Sequence, residues 1–190
     1  MPINYVVGDA TDPPGPADGA KDSIIIVQCC NDVGAYGAGF SGAIARRYPV
    51  VEEGYRHWFK TGYDIAGNKQ LFELGGVYFV AVQAKNYEDG RRREATVANI
   101  IGQQGIRSYE NPHPIDYAAL RKGLERIEEA INAVNEFKKG CLPEVLTTTT
   151  VHMPRIGCGL AAGDWAVVEK IINETLIDKG VSVTVYDLKE

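Results

Sequence analysis

Twice along this chain a β-branched run too short for a helix gives way to a glycine-rich bend and then to residues at helical spacing, a pattern few architectures accommodate. In the later instance Thr147 to Met153 reads as a buried strand, the stretch Pro154-Arg155-Ile156-Gly157-Cys158-Gly159-Leu160-Ala161-Ala162-Gly163-Asp164 must turn, and Trp165, Val168, Ile172 and Leu176 recur at helical spacing. Glycine permits positive φ and lets amide N–H groups approach a ligand unobstructed, while the following helix adds its positive N-terminal end. Such a bend suits an anion. An ordinary strand-to-helix loop with Asp164 or Gly163 as N-cap carries the same local signature.

The earlier instance begins with Ser23 to Cys30, an apolar run placed as a central strand covered on both faces. It ends at Asn31, and four glycines in Asn31-Asp32-Val33-Gly34-Ala35-Tyr36-Gly37-Ala38-Gly39-Phe40-Ser41-Gly42 lead into a helix expected from Ala43. Two such bends, each between a buried strand and a helix, direct two sets of amides at neighbouring phosphates, so a diphosphate is the economical ligand.

The remaining segments supply a scaffold. Ile3 to Val7 is a short strand ending in Gly8-Asp9-Ala10-Thr11; Pro49 opens an amphipathic helix that ends near Gly62. Val77 to Val82 and Thr96 to Ile101 read as a hairpin with a solvated basic tip at Arg91-Arg92-Arg93. Ile115 to Phe137 is a helix closed by Lys138-Lys139-Gly140, and Trp165 to Lys179 a second, stopped at Gly180 before a last strand from Val181 to Asp187. Strands alternating with helices imply an α/β fold, a three-layer α/β/α sandwich with a mixed sheet of about six strands. In such sheets ligands bind at the carboxyl ends of strands, where Asp9, Asn31, Gln103 and the Gly157 bend all fall.

The 190 residues suit one domain, 1–190. A formal charge of −5 argues against duplex nucleic acid, and no apolar run reaches membrane-spanning length. Cys29, Cys30, Cys141 and Cys158 lack zinc or disulfide spacing, which points to a reducing cytoplasm; His57, His113 and His152 show no ligand spacing, so neither metal nor cofactor is expected. A dinucleotide oxidoreductase is disfavoured because the first strand is not followed by Gly-x-Gly-x-x-Gly.

Val7-Gly8-Asp9-Ala10-Thr11, Asn31 with Gly37-Ala38-Gly39-Phe40-Ser41-Gly42-Ala43-Ile44, Pro154-Arg155-Ile156-Gly157-Cys158-Gly159-Leu160 and Thr184-Val185-Tyr186-Asp187 together resemble the macrodomain family over nearly the whole chain. The Pro-Arg-Ile-Gly-Cys-Gly-Leu bend is similar to the branch containing the terminal ADP-ribose protein glycohydrolase and ADP-ribose 1″-phosphate phosphatases. The resemblance implies an ADP-ribose pocket. Asp9, with Ala10, would receive the adenine amine and Tyr186 would lie against the adenine; Gly37, Gly39, Phe40 and Ser41 would face one side of the diphosphate and Ile156, Gly157, Cys158, Gly159 and Leu160 the other; Asn31 would hold the distal ribose. The terminal glycohydrolase's lysine and aspartate are replaced here by Gln103 and Ala161, so its covalent route is not expected. The expected catalytic groups are Asn31, Asp32 and Gln103, orienting water toward ester-linked ADP-ribose on an acidic side chain of an ADP-ribosylated protein. A non-catalytic ADP-ribose reader and a 1″-phosphate phosphatase stand as alternatives.

Overall fold

The computed structural model describes residues 1–14, 23–84, 93–141 and 149–188. Six strands form one sheet: β1 (Asn4–Val7), β2 (Ser23–Asn31), β3 (Val77–Ala84), β4 (Arg93–Gln103), β5 (Thr149–Pro154) and β6 (Ser182–Asp187), ordered β1-β6-β5-β2-β4-β3. Every neighbouring pair is parallel except β3 with β4, the expected hairpin, so the sheet is mixed. The expected basic tip lies outside the described residues, Arg93 excepted, whose backbone belongs to β4.

The helices are α1 (Gly39–Arg47), α2 (Pro49–Thr61), α3 (Tyr117–Cys141) and α4 (Trp165–Thr175), the last followed by a 3-10 turn, Ile177–Lys179. Alternation along β2 divides two cores. Ile25 and Val27 point to one face, where Leu120, Leu124, Ile127 and Ile131 of α3 and Val168, Ile172 and Leu176 of α4 cover them. Ile24, Ile26 and Cys30 point to the other, beneath Ile44 of α1 and Val51, Tyr55 and Trp58 of α2. The result is the three-layer α/β/α sandwich.

Several boundaries differ from expectation for local reasons. Helix α1 starts at Gly39 rather than Ala43: Gly42 N already donates to Ala38 O at 3.4 Å, and a Cβ on Gly42 would lie 2.5 Å from the Gly37 carbonyl oxygen, so the glycine sits inside the first turn. Helix α3 starts at Tyr117, since Asp116 caps it by accepting from Ala119 N at 2.8 Å, and it continues through Gly140 to Cys141. Strand β4 runs past Ile101 to Gln103, because Gln103 still pairs with Asn31 beyond a bulge that leaves Gly102 of β4 unpaired with β2. Helix α4 ends at Thr175, short of the expected Lys179, with the 3-10 turn carrying the chain on to Gly180; at Gly62 and Gly180, the expected stops, the backbone is left-handed, φ 72° and 84°.

Candidate functional site

The carboxyl ends of β1, β2, β4 and β5 open on one side of the sheet, where two bends face each other. The first joins β2 to α1. It is pinned at many points: Asn31 Nδ2 donates to Ala35 O at 2.7 Å, Asn31 Oδ1 accepts from Ala35 N at 2.9 Å and Val33 N at 3.2 Å, and the Tyr55 hydroxyl donates to Asn31 O. Ser41 Oγ donates to Ala38 O at 2.8 Å and accepts from Gly37 N at 3.3 Å, so its hydroxyl is spent inside the bend. The Phe40 ring packs on the α1/α2 core. What remains outward is backbone: no described residue accepts from the amides of Gly39, Phe40 and Ser41, which begin α1 and share its positive end.

The second bend joins β5 to α4. Gly157 has φ 73°, and a Cβ there would lie 2.7 Å from Ile115 Cδ1, so only glycine fits. Ile156 N donates to Pro154 O at 2.7 Å, Cys158 N to Arg155 O at 3.2 Å and Gly163 N to Gly157 O at 2.8 Å. Ile156 and Cys158, expected as ligand contacts, therefore spend their amides on the turn, and the Ile156 side chain is core. The amides of Gly157, Gly159 and Leu160 have no described acceptor, and a Cβ at Gly159 would meet open space. Asp164 is the cap of α4, accepting from Ala166 N at 2.9 Å, as the simpler expectation for it had it. The two bends adjoin: a Cβ on Gly39 would lie 3.3 Å from Leu160 Cδ1.

Arg155 fastens the foot of the second bend. Its guanidinium makes paired bonds to Asp187 (Nε–Oδ1 2.7 Å, Nη2–Oδ2 2.9 Å) and lies over the rings of Tyr5 and Trp165, 5.4 and 5.0 Å from their centroids. That pairing holds the Asp187 carboxyl below the usual carboxylate range.

At the β1 end, Asp9 Oδ1 accepts from Thr11 N at 2.9 Å and Thr11 Oγ1 at 2.8 Å, while Oδ2 lies 3.6 Å from Arg47 Nη2 on a half-exposed side chain. Arg47 is anchored in turn on Asp12 at 2.5 Å. Thr11 and Arg47 escaped the sequence reading. The Asp-x-Thr spacing is a local Asx-turn signal that could have revealed the first; nothing local reveals Arg47, distant in sequence. Ala10 is buried beneath this turn.

Tyr186 requires a correction. Expected against the adenine, it is 6 % exposed, its hydroxyl is bonded to His152 Nδ1 at 2.8 Å, and its ring lies under Gly8. It therefore supports the strand end that carries Asp9 from below. His152, bonded also to Thr150 Oγ1 at 2.9 Å, is the hydrogen-bonded core residue expected.

At the β2/β4 end, Asn31 and Gln103 are direct partners across parallel strands. Asp32 Oδ1 accepts from Gly105 N at 2.6 Å, and its second oxygen has no described partner; Gln103 Nε2 is held loosely, 3.5 Å from Cys29 O and 4.0 Å from Cys29 Sγ. Asn31 is the more committed of the three, since its carboxamide braces its own bend. Ala161 is 1 % exposed, a methyl group where the terminal glycohydrolase carries its carboxylate. Burial raises the Cys158 thiol to about 11 and the Cys29 thiol to about 12, so neither is an activated nucleophile. Among the described residues no group of His, Cys, Asp and Glu could hold a metal ion, and no helix is long and apolar enough to cross a membrane.

A macrodomain protein from Streptomyces coelicolor superposes with TM-score 0.67 and is 35% identical, over 97% of this chain and 98% of that one. The chain belongs to the macrodomain family. A Bacteroides thetaiotaomicron protein described as of unknown function is 39% identical with TM-score 0.74, over 99% of each chain. A Thermosipho africanus DarTG, solved in complex with ADP-ribose, shares the fold at 18% identity and TM-score 0.57, over 89% of this macrodomain and 38% of that chain. Among curated proteins, the ADP-ribose 1″-phosphate phosphatase of Saccharomyces cerevisiae is 22% identical over 98% of each. The Chromodomain-helicase-DNA-binding protein 1-like of Danio rerio is 29% identical over 97% of this macrodomain, which spans 15% of it; for the Mus musculus counterpart the values are 27%, 97% and 17%. No family model matches the chain.

Proposed function

We propose that this macrodomain binds ADP-ribose and hydrolyses ester-linked mono-ADP-ribose from acidic side chains of ADP-ribosylated proteins. The observation that carries the reading is the pair of adjoining bends, each with three amides that have no acceptor among the described residues, at Gly39, Phe40 and Ser41 and at Gly157, Gly159 and Leu160. Opposed amides suit a diphosphate, whose charge they meet without lysine or arginine. Asp9 lies at one end, with an outward oxygen for an exocyclic amine, and Asn31, Asp32 and Gln103 lie at the other, on the side of the distal ribose. The DarTG bound to ADP-ribose and the phosphatase of ADP-ribose 1″-phosphate support the same ligand class.

A carboxylate leaving group is a weak base and needs little protonation, so an oriented water at the anomeric carbon suffices. The free oxygen of Asp32 and the loosely held carboxamide of Gln103 orient that water, and Asn31 keeps Asp32 in place by shaping the bend between them. The bond from C1″ to the ester oxygen breaks, water supplies the new hydroxyl, and its proton leaves with solvent.

Release of ADP-ribose from glutamate-modified protein tests this. Asp32→Ala and Gln103→Ala are each expected to lower the rate at least about tenfold while ADP-ribose still binds. Unchanged rates in both remove them from the mechanism. Binding without any release by the wild-type chain leaves a reader of ADP-ribose in place of an enzyme.

A further inference from the structure

One side chain of the first bend turns away from solvent and into the sheet. The Tyr36 hydroxyl accepts from Gln28 Nε2 and lies 3.3 Å from Asn99 Oδ1, to which it donates; Gln28 Nε2 also donates to Asn99 Oδ1 at 2.6 Å, and Asn99 Nδ2 to Tyr78 O at 2.9 Å. Gln28 and Asn99 face each other across β2 and β4, 1 % and 0 % exposed, on the face otherwise filled by Ile24, Ile26, Val97 and Ile101. Gln28 Oε1 has no hydrogen-bond partner among the described residues. Two buried amides with an orphaned oxygen are a costly filling for an apolar core, and stability alone gives no reason for them. They supply Tyr36 with an acceptor and a donor at a fixed point of the sheet. The phenol ring is seated on Tyr55, with centroids 5.2 Å apart, and burial pushes its hydroxyl well above its usual range, so it stays protonated and able to donate.

We propose that Tyr36 is a positioning residue for the diphosphate: its hydroxyl, held by Gln28 and Asn99, fixes the height of the first bend over the sheet and so aims the amides of Gly39, Phe40 and Ser41. The proposal rests on the ADP-ribose reading and gives it a specific source of preorganisation. The foot of the bend is fixed separately, by Asn31 of β2 bonding Ala35 O and Ala35 N at 2.7 and 2.9 Å; beyond Ala35 the restraints other than Tyr36 are weaker. Arg56 reaches Gly34 O and Tyr36 O only at 3.5 and 3.3 Å, and the Ser41 bonds tie the bend to itself without tying it to the sheet. A bend released from the sheet keeps its shape but loses its register with Leu160 and the second bend, and a ligand must then restore the alignment when it binds.

Tyr36→Phe tests the proposal, with Gln28→Met as a second variant that removes the other end of the tether. Calorimetry with ADP-ribose is expected to show about tenfold weaker binding in each. Amide hydrogen exchange of the unliganded protein is expected to quicken at Ala35 and Gly37, the hydrogen-bonded amides within 34–41, and stay unchanged at 157–160, well below the melting temperature. A merely structural role would lower the melting temperature and move neither reading. Wild-type affinity in a folded variant, or exchange unchanged at Ala35 and Gly37, overturns the proposal alone; a wild-type chain that binds no ADP-ribose overturns the proposal together with the reading beneath it.

Discussion

Arg47 stands at the last turn of α1, between Asp9 at 3.6 Å and Asp12 at 2.5 Å, and Asp12 is largely buried, with one oxygen that has no partner among the described residues. Arg47→Ala leaves that carboxylate with no cation and frees the turn that carries Asp9. It is expected to cost about 2 kcal/mol of stability and to weaken ADP-ribose binding several-fold, read by denaturation and calorimetry. Unchanged affinity would separate Asp9 from adenine. At His152 the prediction concerns pH. Burial lowers its imidazole from the ordinary 6.5 to about 4, so between those values the unfolded chain binds a proton that the folded one does not. Stability is therefore complete above pH 6.5 and falls on acidification toward 4, by on the order of 3 kcal/mol. Denaturation at pH 6.5 and 5 should show the drop, and His152→Gln should shrink it; an equal drop in the variant would assign it elsewhere. Neither Arg47 nor His152 is legible as a partner in the sequence, since Asp9 and Tyr186 reach them only through the fold.

The bends are where sequence and structure agree most, because glycine states its backbone requirement locally. Gly157 shows this: its φ of 73° strains any side chain there, and an added Cβ would also push the Ile115 Cδ1 methyl, 2.7 Å away, aside. Gly157→Ala is expected to lose about 1–3 kcal/mol of stability and most ADP-ribose affinity, whereas Gly159→Ala, in open space, should keep the fold. Thermal melts of the pair check this, and equal melting temperatures would contradict the geometry. The strands were also readable, from β-branched runs, though Gln28 passed within one as if apolar. Its purpose depends on Asn99, 71 residues away, and on a register that no local pattern encodes. The start of α1 was misjudged because glycine disfavours helices on average; Gly42 is retained there for the close approach of the Gly37 carbonyl oxygen. Tyr186 misled for a related reason: an aromatic at a strand end reads alike whether it faces ligand or core.

For the molecule as a whole, the charge of −5 and a diphosphate ligand are reconciled by amides. Of the basic side chains bordering the site, Arg155 is committed to Asp187 and Arg47 to Asp12 and Asp9, which leaves Arg46, its Nη1 3.5 Å from a Cβ built on Gly42, as a single cation beside the first bend. Affinity for ADP-ribose is therefore expected to change less than about threefold between low and high salt, far below the response of a lysine- or arginine-built phosphate site. A steep salt dependence would place unseen cations on the ligand. The central claim is that both bends grip one diphosphate, and backbone amide shifts in a titration of the isotope-labelled protein with ADP-ribose test it most directly. The amides of Gly39, Phe40 and Ser41 and those of Gly157, Gly159 and Leu160 should move together, with one dissociation constant; shifts confined to a single bend, or to neither, would contradict it.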